Sequence, residues 1–219
     1  MTLLTYDHCP YCVKARMILG LKNVEFEHKI LLNDDEETPI RLIGAKQVPI
    51  LIKVDGKPLP ESLDIIRYID NEFAGPASIT DLASNESLHQ WMSDVKLSLY
   101  RLTLPRWIRP QAGIAEFATP SAIDYFVKKK TAMIGDFEEN FARSEDLLKD
   151  LQTHIDRLEE LMVESGWING PLSLDDFHLF AYLRSATIIK GINYPPKVGR
   201  YISFVSEQTK VPLFTDVAI

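Results

Sequence analysis

Apolar and polar positions change rhythm near residue 75. Before it, short apolar runs alternate with stretches whose apolar residues recur every three or four positions, a strand rhythm alternating with a helical one. Leu3–Tyr6 predicts a strand, and Tyr11–Leu21 a helix carrying Val13, Ala15, Arg16, Met17 and Ile18, with Gly20 near its end. Phe26–Leu32 predicts a second strand. Thr38-Pro39 opens a short helix, because proline suits the first helical position, and Gly44 closes it. Val48–Val54 is rich in β-branched residues and stops at Asp55-Gly56, a hairpin turn signal; the returning strand ends at Pro60. Glu61–Phe73 then sets Leu63, Ile65, Ile66 and Ile69 mostly on one helical face. The order β-α-β-α-β-β-α predicts an α+β, thioredoxin-like unit: a mixed sheet with helices on both faces.

Ala74-Gly75-Pro76 breaks this pattern, and no convincing strand follows. Leu88, Trp91, Met92, Val95, Leu99 and Leu102 fall at helical spacing, Thr119-Pro120 caps a helix reaching about Lys130, and Ser144 starts a longer one. In PLSLDDF (171–177), Ser173 and Asp176 form a capping box with aspartate in place of glutamate, flanked by Leu172 and Phe177 as a hydrophobic staple. The helix that follows presents Phe180, Leu183, Ala186 and Thr187 and ends at Gly191. The division expected is a domain at 1–73, a linker at 74–83 and an all-helical domain at 84–219. Trp91, Tyr100 and Trp107 serve either a substrate cleft or the packing between domains.

Composition narrows the function classes. The 219 residues are 46% hydrophobic and 25% charged, the balance of a globular protein. A net charge of -7 argues against nucleic acid or an anionic membrane as partner, since both need clustered Lys and Arg. Lys128, Lys129 and Lys130 read as the solvated face of a helix. No basic N-terminal segment and no run of about eighteen apolar residues is present, so the expected compartment is the reducing cytoplasm, with no membrane attachment.

The chain has two cysteines, Cys9 and Cys12, between the first strand and the first helix. At a helix start, free backbone N–H groups and the helix dipole favour a thiolate on Cys9; Cys12, about one turn further in, can resolve a mixed disulfide formed there. Pro10 fits the first helical position, where its missing N–H does no harm. His8 and Lys14 either add positive potential or are plain surface residues. Half of a zinc site, an iron–sulfur module and simple core packing are the rival readings. Zinc wants four ligands, and neither a second cysteine pair nor H-x3–5-H spacing is present, so no metal is expected.

Two further stretches suit a thiol peptide. In KQVPIL (46–51), a cis Pro49 would leave the backbone of Val48 open to an extended peptide. In PESLDII (60–66), Ser62 and the backbone N–H groups at a helix start suit a carboxylate, and Glu61 suits an α-ammonium group. The alternative is an ordinary N-cap with an acidic first turn.

CPYC after the first strand, VP before the third and ES at the last helix, followed by a helical half, resemble the glutaredoxin and glutathione transferase arrangement. YDHCPYC, KARMI, GLKN, LLNDD, KQVPIL, PES and GIN more closely resemble the long bacterial glutaredoxins, the glutaredoxin 2 family. The resemblance implies a glutathione-dependent thiol-disulfide oxidoreductase, with Cys9 as nucleophile and Cys12 as resolving thiol. Glutathione would lie across the loop, pairing with Val48 beside Pro49, its γ-glutamyl end at Glu61 and Ser62, with Tyr11 shaping access. Gln47 and Arg41 are candidates for its glycine end. Glutathione is then a co-substrate, recharged by an NADPH-dependent reductase, and no bound cofactor is implied. The partners are glutathione and disulfide-containing or glutathionylated proteins, and the chain is expected to be a monomer. A cysteine-type transferase or dehydroascorbate reductase using Cys9 alone, or a non-catalytic glutathione- or cluster-binding module, stands as the alternative.

Overall fold

A computed structural model describes residues 1–75, 79 and 85–219. Four strands, β1 (Thr2–Thr5), β2 (Glu27–Ile30), β3 (Ile50–Ile52) and β4 (Pro58–Pro60), form one sheet in the order β2-β1-β3-β4. β1 runs parallel to β2, while β1–β3 and β3–β4 are antiparallel, so the sheet is mixed as expected. Side chains alternate across a strand, and the register uses this. Leu3 opposite Leu51 joins the large core beneath α1 (Pro10–Leu21) and α3 (Ser62–Glu72). Leu4 opposite Ile50 faces the other way, packing with Leu31, Leu42 and Ile43 under α2 (Glu37–Ile43). Helices therefore cover both faces.

In the first half, the boundaries of α2 and β3 differ most from the sequence reading. α2 begins at Glu37, not at Thr38-Pro39, and Pro39 sits in its third position. The Asp35 carboxylate accepts the Thr38 N–H at 2.9 Å and starts the turn early; the first helical N–H groups need no intrahelical partner, so Pro39 is tolerated there. β3 is confined to Ile50–Ile52; it starts after Pro49, which has no N–H to offer a ladder and follows Val48 through a cis bond. The expected linker, 74–83, lies mostly outside the described residues.

The second half is helical: α4 (Glu86–Trp107), α5 (Pro120–Ile134), α6 (Phe137–Ala142), α7 (Ser144–Leu161), α8 (Leu174–Ala186) and α9 (Pro196–Thr209). Among the described residues its one strand-like feature is an isolated bridge, Trp167 to Gly170. Thr119 caps α5 by accepting the Ala122 N–H, and Ser173 and Asp176 form the expected capping box on α8. Leu172 and Phe177 are both buried. α8 ends at Ala186 instead of Gly191. Thr187, Ile188 and Ile189 bond back three residues, which tightens the last turns and frees Ile188 O to accept the Ile219 N–H at 3.0 Å.

Nearly all of α1 is buried, because it lies between its own sheet and α3 on one side and α8 and α9 on the other. At Gly20 the helices touch backbone to backbone: a Cβ there would fall 1.8 Å from the Thr209 carbonyl oxygen. Arg184 of α8, 1% exposed, reaches across to the loop after β1. It donates to the Asp7 carboxylate at 2.8 Å and to the Asp7 carbonyl at 2.7 Å, and Arg16 pairs with the same carboxylate. The helical half thus grips the loop that carries the cysteines.

Candidate active site

Cys9 is the N-cap of α1, in extended conformation, and Pro10 is the first helical residue. Cys9 is half-buried and Cys12 fully buried. The Cys9 thiol is pulled down to about 6. The largest cause is a hydrogen bond from the Cys12 thiol, opposed by burial and reinforced by His8 and by the backbone N–H groups of Cys12 and Tyr11. Cys12 moves the other way: burial, then the neighbouring Cys9, push it well above the usual thiol range. The Tyr6 N–H donates to its sulfur at 3.4 Å. One sulfur is held as an anion at the mouth, with a protonated donor behind it.

Neither neighbour of the pair is a surface residue. His8 is buried; its Nδ1 lies 2.7 Å from Glu116 Oε1, which also accepts the His8 backbone N–H at 2.9 Å. Glu116, 0% exposed, comes from the short turn Ala115–Phe117 between α4 and α5, so the helical half positions the loop directly. Lys14 is buried too, its Nζ 2.6 Å from His178 Nδ1 on α8, and burial pulls its ammonium down to about 8. His178 is pulled down to about 4, first by burial and then by Lys14, which leaves a neutral acceptor at neutral pH.

A cleft of about 410 Å³ opens beside Cys9 between the two halves. Cys9, Tyr11 and Val48 line it; Tyr11, 58% exposed, stands at the rim. Glu61 and Ser62 are not in the lining. They stand at the start of α3, Ser62 buried; Glu61 is tied to the cleft by Gln47, a lining residue whose Nε2 donates to Glu61 Oε1 at 2.9 Å. Glu61 has φ 66°, a backbone state that costs a residue other than glycine on the order of 1–3 kcal/mol. Pro49 lies behind the lining, next to Val48. Arg41 pairs with Glu37 on the exposed side of α2, away from the cleft.

The opposite wall was only partly named by the sequence, and its lysines were not read as part of it. Tyr100 and Trp107 of α4 line the cleft, whereas Trp91 is buried in the core and donates to the His154 carbonyl at 2.7 Å. Lys129 and Lys130 are cleft residues, not just a solvated face. Lys46 lies beneath, its Nζ shared by Tyr6 OH, the Asn33 carbonyl and the Asp35 carbonyl. A faint signal existed for Glu116, the one acid within the apolar stretch GIAEFA (113–118). Among the described residues no group of three or more His, Cys, Asp or Glu side chains is placed to hold a metal ion.

The family model described as "Glutaredoxin 2, C terminal domain" matches residues 87–218, and that of the glutathione S-transferase N-terminal domain matches 3–77. The chain belongs to the glutaredoxin 2 family. Glutaredoxin 2 of Escherichia coli K12 is 43% identical over 219 residues, covering 100% of both chains. The crystal structure of glutaredoxin 2 from Salmonella typhimurium in complex with glutathione superposes with a TM-score of 0.93 at 44% identity, over 100% of this chain and 98% of that one. A glutathione transferase from Phanerochaete chrysosporium, TM-score 0.66 and 14% identical over 96% of each chain, shares the fold. Glutaredoxin 2 proteins are glutathione-dependent oxidoreductases on a transferase-like frame, and the described arrangement is that frame: a four-stranded thioredoxin-like sheet followed by a helical half.

Proposed function

We propose that this protein reduces glutathione mixed disulfides and protein disulfides, with Cys9 as nucleophile and Cys12 as resolving thiol. The observation that carries the reading is the split between the two sulfurs. Cys9 is lowered at a helix N-terminus and faces the cleft, while Cys12 is buried, raised and hydrogen-bonded to it.

With a glutathionylated substrate, the Cys9 thiolate attacks the glutathione sulfur, the substrate sulfur leaves as a thiolate and takes up a proton, and Cys9 carries glutathione. A second glutathione thiolate attacks that glutathione sulfur, forming oxidised glutathione and returning the Cys9 thiolate. With a protein disulfide, Cys9 attacks one sulfur and the other leaves. Cys12, deprotonated as it attacks, displaces the first and closes a Cys9–Cys12 disulfide, which two glutathiones reopen with release of oxidised glutathione. Both cycles reduce one disulfide by two electrons and release one oxidised glutathione; the first consumes one free glutathione, the second two.

Glutathione fits across the loop, its cysteinyl backbone along Val48 beside cis Pro49, its γ-glutamyl end at Glu61 and Ser62 at the start of α3, and Tyr11 at the rim. Gln47, between Val48 and Glu61, completes that edge. The working unit divides at 74–83, a division supported by two family models that meet around it. The reading assigns the protein to the cytoplasm as a monomer with no resident cofactor, since a free, lowered thiol needs a reducing glutathione pool. No helix among the described residues is long and apolar enough to cross a membrane.

The test is glutathione-coupled reduction of a glutathionylated substrate by wild type, Cys9→Ser and Cys12→Ser. Cys9→Ser should fall to background. Cys12→Ser should keep turnover on this substrate and lose it on an intramolecular protein disulfide. Wild type without turnover would sink the reading; Cys12→Ser active on both substrates would favour transferase-type chemistry at Cys9 alone.

A further inference from the structure

The far wall of the cleft, across Cys9 from the proposed glutathione edge, is built by α4 and α5 and is not accounted for by glutathione. It carries Lys96, Lys129 and Lys130, interleaved with Tyr100, Tyr125 and Met133. Among the described residues no Asp or Glu lines the cleft, in a chain whose net charge is -7.

The positive charges of the lining are not equally free. Lys46 is enclosed by three oxygen acceptors, with Asp35 and Glu36 nearby. Lys129 is shared with Tyr125 OH and with Glu36, whose carboxylate lies 3.6 Å away. Lys96 and Lys130 have no carboxylate partner among the described residues. Lys96 is exposed, its Nζ 5.9 Å from the Tyr100 ring, and Lys130 is half-buried at the α5 side. Met133 adds an apolar surface that is 47% exposed. An open, lysine-bearing wall with aromatic and thioether floor is unusual on an acidic protein, since such a wall repels basic ligands and draws acidic ones by focusing the local potential.

We propose that this wall selects the leaving half of the mixed disulfide: a protein segment in which the glutathionylated cysteine is flanked by acidic residues. The inference rests on the oxidoreductase reading and specifies its substrate. Glutathione at Val48 and Glu61 leaves the other sulfur of the disulfide toward α4 and α5, where Lys96 and Lys130 meet carboxylates on either side of the cysteine. The cleft is open along this wall, which suits an extended chain better than a small, enclosed thiol.

The experiment uses three glutathionylated peptides of equal length, with Glu, Gln or Lys on both sides of the cysteine, and reads kcat/KM at low and moderate ionic strength. Wild type should favour the Glu peptide over the Gln peptide by about tenfold at low salt, with the preference shrinking as salt rises. The double variant Lys96→Gln/Lys130→Gln should lose the preference while turning over the Gln peptide as wild type does. Charge reversal, Lys96→Glu/Lys130→Glu, should shift preference to the Lys peptide. Equal rates across the three peptides, or a preference surviving in the double variant, would each overturn the proposal. If wild type fails on the Gln peptide as well, the oxidoreductase reading itself is at fault, which separates the two failures.

Discussion

Cys9 and Cys12 are chemically alike in sequence and opposite in the fold. The helix start, the Cys12 thiol and His8 favour the Cys9 thiolate, so its alkylation rate should rise with pH through about 6 and level off above it. Replacing His8 with Asn removes a group whose field lowers the Cys9 thiol, and the midpoint should climb. The sign for stability follows from the same shift. The folded value lies below the unfolded thiol's, about 8.5, so the thiolate stabilises the reduced fold fully above the unfolded value, and this is lost as pH falls through the folded value. Urea unfolding of reduced wild type and Cys9→Ser should therefore diverge above pH 6 and converge below it; parallel curves would show that the thiolate is not selectively held. The pair was legible from its spacing at a strand–helix junction. The roles of His8 and Lys14 were not, because the groups that bury them, Glu116 and His178, arrive from 108 and 164 residues away.

At the scale of elements, the capping box is a local device and was read correctly from PLSLDDF. Ser173→Ala should cost about 1 kcal/mol, lowering the melting temperature by some 2–4 °C, without changing the Cys9 alkylation profile. An unchanged melting temperature would mean that α8 does not depend on this cap. Helices with a clear apolar face, such as α3 and α7, announced themselves by spacing. α6 and α9 went unread: the first is only six residues long, and the second starts at Pro196 after a proline-rich turn. α1 shows the limit most clearly. It is buried almost all round, so Lys14 and Arg16 lie inside, where sequence periodicity places polar residues outside.

At the scale of the molecule, the helical half holds the cysteine loop through Arg184 to Asp7 and Glu116 to His8. Burial alone would raise the Asp7 carboxyl, yet Arg184 and then Arg16 hold it below the usual carboxylate value. The contact is therefore intact above the ordinary carboxylate range and weakens as pH falls through the lowered value. Arg184→Met leaves Asp7 without its main partner and should cost about 3–5 kcal/mol in denaturant unfolding. A change below about 1 kcal/mol would mean that the Arg184–Asp7 contact does not hold the halves together. The two-domain plan was legible from the change in rhythm near residue 75. The joint was not, since Gly20 against Thr209 and Arg184 against Asp7 pair residues no local pattern connects.

The most direct test of the central claim is to trap the covalent intermediate. Reduced Cys12→Ser is mixed with one equivalent of a glutathionylated peptide, quenched with acid, and mapped by mass spectrometry, with Cys9→Ser in parallel. One glutathione on Cys9 in the first protein and none in the second is the expected result. Glutathione found on Cys12 of Cys9→Ser at a comparable rate, or the peptide instead of glutathione bound to Cys9, would contradict it.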